Sequence, residues 1–254
     1  MGETHVPLGY HAIAGELQAR IEHGTYEPGS RLPAEDALAR EFSVSRQTVN
    51  KALLRLRAEG LIRVERGVGT TVRELPMLTT ERIGRQKTAQ RESGQARGAF
   101  QSEMESRGYT SRSEVAVTRE NPPAEVRDLF GADEQAVTRR RQMFAGDVPV
   151  QLATGYYPGA IAAGTAIEQE DTGPGGTYSR LAELGHAPAR FTERIRLRLA
   201  TDDEAAFLRL DTEQRVYDVE RTARDNGGLV VEVNMIVMPA HQWGLVYEWT
   251  SEDA

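Results

Sequence analysis

The chain has 254 residues, 39% hydrophobic and 27% charged, with a formal net charge of −7 and no cysteine. That balance suits two modest soluble domains or one large one, and the lack of cysteine excludes a disulfide framework, a thiolate metal site and a thiol nucleophile. No stretch approaches eighteen apolar residues, and the first twenty carry Glu3, His5, His11 and Glu16 without an apolar core segment, so a cytoplasmic protein with no membrane partner is expected.

Taken in chain order, Tyr10, Ile13, Ala14, Leu17 and Ile21 share one face of a helix expected over residues 8 to 23, with Tyr10 in the core and Gly24 as the stop. Pro28-Gly29 turns the chain into Arg31-Leu32-Pro33. Leu38, Ala39 and Phe42 mark a short second helix that ends at Ser43-Val44. Ser45 is placed to cap a third helix from about Arg46 to Ala58, whose apolar face is Val49, Ala52, Leu53 and Leu56 at i, i+3, i+4 and i+7. The opposite face carries Arg46, Gln47, Asn50, Lys51 and Arg57. Leu61 to Glu65 and Thr70 to Arg73 read as short strands around the turn Arg66-Gly67-Val68-Gly69.

These elements compose a winged helix-turn-helix. In that geometry the first residues of the second helix of the pair reach base edges in the major groove, while basic and hydroxyl groups beside them hold phosphates. Here those residues are Ser45, Arg46, Gln47 and Thr48; Arg can bond bidentately to guanine, and Gln or Asn50 to adenine. Residues 36 to 73 hold eight Lys or Arg against four Asp or Glu, a local +4 in a chain of −7. The contrast favours double-stranded DNA as partner over a merely solvated basic face.

From residue 8 to 73 the pattern Gly24, Pro28-Gly29, Leu32-Pro33, Glu35, Leu38-Ala39, Phe42, Val44-Ser45-Arg46, Thr48-Val49, Ala52-Leu53, Leu56, Gly60-Leu61-Ile62, Gly67, Gly69-Thr70 and Val72 resembles the DNA-binding domain of GntR-family bacterial transcriptional regulators. The resemblance implies that Arg46 reads a base, that Ser45, Gln47 and Thr48 contact bases or phosphates, and that the wing around Arg66, Gly67 and Gly69 lies on the minor groove. Asn50 and Lys51 complete the expected DNA-binding set. Two positions depart from the family pattern: Asp36 and Asn50 stand where many members carry Arg.

Residues 76 to 98 are polar, basic and free of aromatics, and read as a linker between a DNA-binding head over 1 to 75 and a second domain over 99 to 254. Residues 1 to 97 carry a net +3 and residues 98 to 254 a net −10, which fits docking on DNA through one end. In the second domain a short helix is expected over Ala99 to Arg107. Strands are expected over Glu114 to Thr118, Ala136 to Phe144, Val150 to Tyr157, Phe191 to Ala200, Arg215 to Arg224 and Leu229 to Val237, and helices over Ala124 to Phe130, Thr177 to Leu184 and Asp202 to Leu208. Ala145-Gly146-Asp147 and Asp225-Asn226-Gly227-Gly228 read as hairpin turns, so an antiparallel sheet in an α+β domain is expected.

The segments RRRQMFAGDVPVQLATGYYP, TERIRLRLATDDEAAFLRL and VYDVERTARDNGGLVVEVNMIVM resemble the ligand-sensing UTRA domain of HutC-type GntR regulators, whose fold is that of chorismate lyase. Arg139 and Arg141 alternate onto one strand face and suit a carboxylate or phosphate. The resemblance makes Arg141 and Glu232 ligand-facing, with Tyr156 and Tyr178 as possible lining. Met143, Ala153 and Met238 stand where sugar-phosphate sensors of the subfamily carry Arg, Glu and Tyr, which implies a less polar effector.

No catalytic site, cofactor or metal site is expected: the five histidines show no ligand spacing, and no nucleophile motif such as G-x-S-x-G occurs. The expectation is a ligand-responsive DNA-binding regulator, a repressor that reads a palindromic operator as a homodimer. An enzyme of chorismate-lyase-like fold joined to a DNA-binding head, and a constitutive DNA-binding dimer without effector, are the alternatives.

Overall fold

The computed structural model describes residues 8–65, 67–75, 77–82, 99–131, 135–211 and 214–248. The chain forms two compact units, residues 1–78 and 79–254.

In the first unit, helices α1 (Tyr10–Glu22), α2 (Glu35–Glu41) and α3 (Arg46–Ala58) precede a hairpin of β1 (Ile62–Glu65) and β2 (Gly69–Val72). Helical and strand periodicity converge on one core: Ile13, Ala14 and Leu17 from α1, Leu38 from α2, Val49, Ala52, Leu53 and Leu56 from α3, and Ile62 and Val72 from the hairpin. Burial of each large aliphatic side chain contributes about 1.5–3 kcal/mol, and this is what holds three short helices that would be marginal alone. Tyr10 is not part of that core. It is 36% exposed, sits at the first helical residue and lies against the His11 ring. The hairpin pairs Ile62 with Val72 and Glu65 with Gly69, and Arg31 bridges Thr71. The turn residues Gly67 and Gly69 have φ of 81° and 103°, a region side chains other than glycine rarely enter.

The second unit is built on a six-stranded antiparallel sheet in the order β4-β5-β6-β9-β8-β7. Its strands are β4 (Ser111–Glu120), β5 (Ala136–Ala145), β6 (Val148–Pro158), β7 (Arg190–Leu199), β8 (Arg215–Arg224) and β9 (Val230–Pro239). Helices α4 (Ala99–Glu105), α5 (Ala124–Phe130), α6 (Gly159–Ala162), α7 (Gly176–Glu183) and α8 (Asp202–Leu208) are interspersed. Helix α8 starts with a capping box: the Thr201 side chain accepts from the Glu204 N–H, and the Glu204 carboxylate accepts from the Thr201 N–H.

The segment 166–184 covers one sheet face, packing Ile167 and Leu181 on Val137, Tyr157, Ala223 and Val231. The other face is covered by α5, through Val126 and Phe130, and by α8, through Leu208. Within the stretch expected to be linker, Leu78–Glu81 forms a strand, β3, paired with β10 (Trp243–Val246). Leu78 and Trp243 are both buried, and the Trp243 indole N–H donates to the Val150 carbonyl at 2.8 Å, which fixes β10 to the body of the unit. Residues 83–98 of the expected linker lie outside the described residues.

Candidate functional site

The tip of α3 is set by its cap. The Ser45 hydroxyl accepts from the Thr48 N–H at 3.1 Å and lies 2.8 Å from the Thr48 hydroxyl, which starts the helix cleanly after Ser43, itself in the left-handed region at φ 54°. With Val49, Ala52, Leu53 and Leu56 fully committed to the core, Ser45, Arg46, Gln47, Asn50 and Lys51 are left exposed and Thr48 half-buried. Two of these side chains meet one carboxylate from α2: Glu35 accepts from Arg46 Nε at 2.8 Å and from Asn50 Nδ2 at 3.1 Å. Those bonds hold the Glu35 carboxyl below its ordinary range, Arg46 contributing most. Gly67 and Gly69 form the exposed wing turn, whereas Arg66 lies outside the described residues. Glu35 belongs to the GntR pattern in the sequence, but its hold on Arg46 and Asn50 was not read there.

The residues expected to form the effector site divide. Register places Arg139, Arg141, Tyr157, Glu232 and Asn234 on the face under segment 166–184. Glu232 is 2% exposed; the Tyr157 hydroxyl donates to its Oε1 at 2.5 Å and the Tyr178 hydroxyl to its Oε2 at 2.6 Å. Burial, and then the Glu232 charge, push both phenols well above the ordinary tyrosine value, so they remain donors.

Arg139 is in this face but already committed. Buried to 4% exposure, its guanidinium donates to the carbonyls of Ile167 at 2.6 Å and Glu170 at 2.8 Å and to that of Gln169. Arg141 differs. It is half-buried; among the described residues its one hydrogen bond is a long one, 3.3 Å to the Asn234 amide oxygen, and its buried Nε has no hydrogen-bond partner. Tyr156 belongs to the opposite face, packed with Val126, Phe130 and Val233, since successive strand residues point to opposite sides. It is Tyr157, not Tyr156, that meets Glu232.

A cavity of about 670 Å³ lies along the opposite face; the residues lining it include Arg140, Gln142, Thr154, Tyr156 and Asp218, and also Arg141 and Ala153. Most of its charged groups are paired: Arg140 bonds Glu120, and Arg198 donates to Asp218 at 3.0 Å and Glu204 at 2.6 Å, whereas Arg141 keeps only its long bond to Asn234 among the described residues. Sequence reasoning also missed a buried cluster beside the Glu232 face, where Glu193 accepts from Arg82 at 2.6 and 3.0 Å and from Arg221 at 2.6 Å. Among the described residues no group of three or more His, Cys, Asp or Glu is arranged to hold a metal ion, and no helix is long and apolar enough to cross a membrane.

Comparison with known proteins decides what this pair of units is. Residues 9–72 match the family of bacterial regulatory proteins of the gntR type, and residues 106–242 match the UTRA domain. The chain belongs to the GntR family. Its UTRA domain marks it as HutC-type, so it is a DNA-binding transcriptional regulator with a ligand-sensing domain and not an enzyme. An uncharacterised HTH-type transcriptional regulator of Streptomyces coelicolor is 30% identical over 249 residues, which cover 95% of this chain and 93% of that protein. The HTH-type transcriptional repressor NagR of Bacillus subtilis is 24% identical over 234 residues, covering 91% and 89%. The crystal structure of PhnF from Mycobacterium smegmatis superposes with a TM-score of 0.59 at 21% identity over 94% of this chain and 99% of that one, a likeness of fold.

Proposed function

We propose that this GntR-family chain is a cytoplasmic repressor that binds a palindromic operator as a homodimer, with residues 1 to 75 as head and 99 to 254 as sensing and dimerising domain, joined by 76 to 98, of which Leu78–Glu81 is the strand β3. The observation that carries the reading is the capped tip of α3, which turns Ser45, Arg46 and Gln47 outward while Val49, Ala52, Leu53 and Leu56 lock the other face of the helix in the core. Thr48, Asn50, Lys51 and the wing residues Arg66, Gly67 and Gly69 complete the proposed DNA contacts. The repressor role follows relatives named as repressors, NagR among them.

The effector is proposed to bind at Arg141, with Tyr178 and Glu232 beside it. Support comes from the poor hydrogen bonding of Arg141 on a face where Arg139 and Glu232 are fully engaged by other groups. Met143 and Ala153 are buried and share its face, so an effector with one anionic group and a less polar body suits the site. The test of the head is Arg46→Ala, which should weaken operator binding by about 1–3 kcal/mol, roughly 5- to 150-fold, without loss of fold. Anisotropy titration on an operator duplex reads this directly, and unchanged affinity would remove α3 from the interface.

A further inference from the structure

We propose that Asp36 makes DNA reading by the α3 tip selective, because it cancels the attraction of that tip for phosphate. The inference rests on α3 being the recognition helix. Asp36 lies in the first turn of α2, with its side chain 71% exposed and its carboxylate 3.6 Å from Arg46 Nε. Glu35 holds the same nitrogen at 2.8 Å. One guanidinium, itself 67% exposed, therefore faces two carboxylates, and the three groups together carry −1. From Ser45 to Asn50 no other side chain is charged; Lys51, the next residue and an exposed one, brings the tip to zero, and without Asp36 it would carry +1.

Two kinds of DNA affinity respond differently to this arrangement. Attraction to the phosphate backbone depends on net charge over distances up to the Debye length, about 8 Å at physiological salt. Base reading depends on hydrogen-bond directions at short range. A tip of net zero charge gains little from the field of the backbone, and its Arg46 retains two terminal nitrogens, the edge that matches guanine O6 and N7, because Nε is the atom committed to Glu35. Random duplex offers this tip no net electrostatic gain. An operator adds the base contact. Asp36, the more exposed acid, thus raises the ratio of operator to random affinity at the expense of affinity in general.

The experiment measures dissociation constants of the full chain and of its D36N and R46A variants by fluorescence anisotropy, across a salt series. The probes are a random-sequence duplex and an operator duplex obtained by selection from a random pool. D36N removes one negative charge from near several phosphates, so at low salt it should tighten random-duplex binding by roughly threefold or more. The slope of log affinity against log salt should steepen by about one. Operator binding should tighten by a smaller factor, so the operator-to-random ratio falls. Random-duplex affinity and slope both unchanged in D36N would overturn the proposal. So would lost operator affinity with random binding unchanged, which would make Asp36 a base reader itself. Should R46A bind the operator like the wild type, the recognition helix would be misassigned; R46A weak and D36N indistinguishable from wild type on random duplex would sink only the role of Asp36. A thermal melt of D36N beside the wild type separates these outcomes from an effect on folding.

Discussion

Arg139 and Arg141 are two residues apart on one strand, and by sequence they are equivalent: both alternate onto the same face and both suit an anion. The structure separates them because segment 166–170 folds over the sheet and spends its carbonyls on Arg139. Nothing local announces that, since the partners lie about thirty residues downstream and are main-chain atoms. Register decides in the same way between Tyr156 and Tyr157. The pairing of Tyr156 with Val233 directs the next tyrosine to Glu232, and a one-residue slip would have reversed the choice. A contrast in stability follows. Arg139→Met should leave three carbonyls without a donor and lower unfolding free energy by about 3 kcal/mol or more, at about 1–3 kcal/mol for each buried acceptor. Arg141→Met should cost less than about 1 kcal/mol, because its bonds are few and poor. Urea unfolding of the two variants measures both, and equal losses would make Arg141 as structural as Arg139.

Among the elements, those legible in the sequence were the ones with strong periodicity and local caps. Helix α3 could be read from Val49, Ala52, Leu53 and Leu56 together with Ser45, and the hairpins from Gly146 and from Asp225 to Gly228, because turn chemistry and apolar spacing act within a few residues. Strand β3 could not. Leu-Thr-Thr-Glu in a polar stretch carries no period of its own, and its stability comes from β10, near the far end of the chain.

Just after β3, Arg82 is buried against Glu193, which Arg221 also holds. Burial alone would raise the Glu193 carboxyl, but Arg221 and Arg82 outweigh it and hold the group below its ordinary range. A carboxylate depressed in the folded state contributes stability above its unfolded value, near pH 4.3, and loses it as pH falls through the folded one. Glu193→Gln should therefore cost about 3–5 kcal/mol at neutral pH by leaving two buried guanidinium groups uncompensated, and should flatten the loss of stability below about pH 4. Denaturant melts at neutral and acid pH check it. Equal destabilisation of the variant at both would refute the ion cluster as the cause.

At the scale of the whole molecule, charge and architecture agree. The first 97 residues carry +3 and the rest −10, and the fold is a winged helix-turn-helix unit followed by a sheet unit with a buried polar face. Family membership makes the chain a DNA-binding regulator; the proposed reading adds a dimer and a two-fold symmetric operator, since matching symmetry lets two heads act on one site. Linkage then requires any effector to have different affinity for the DNA-competent and DNA-free states. All of this depends on the full chain recognising a particular sequence. The most direct measurement is selection of duplexes from a random pool by the full chain, repeated with residues 1 to 75 alone. The full chain should enrich a two-fold symmetric sequence with a guanine at the position read by Arg46 in each half, and the head alone should retain it far more weakly at equal salt. A pool that stays random after selection by the full chain would contradict the account.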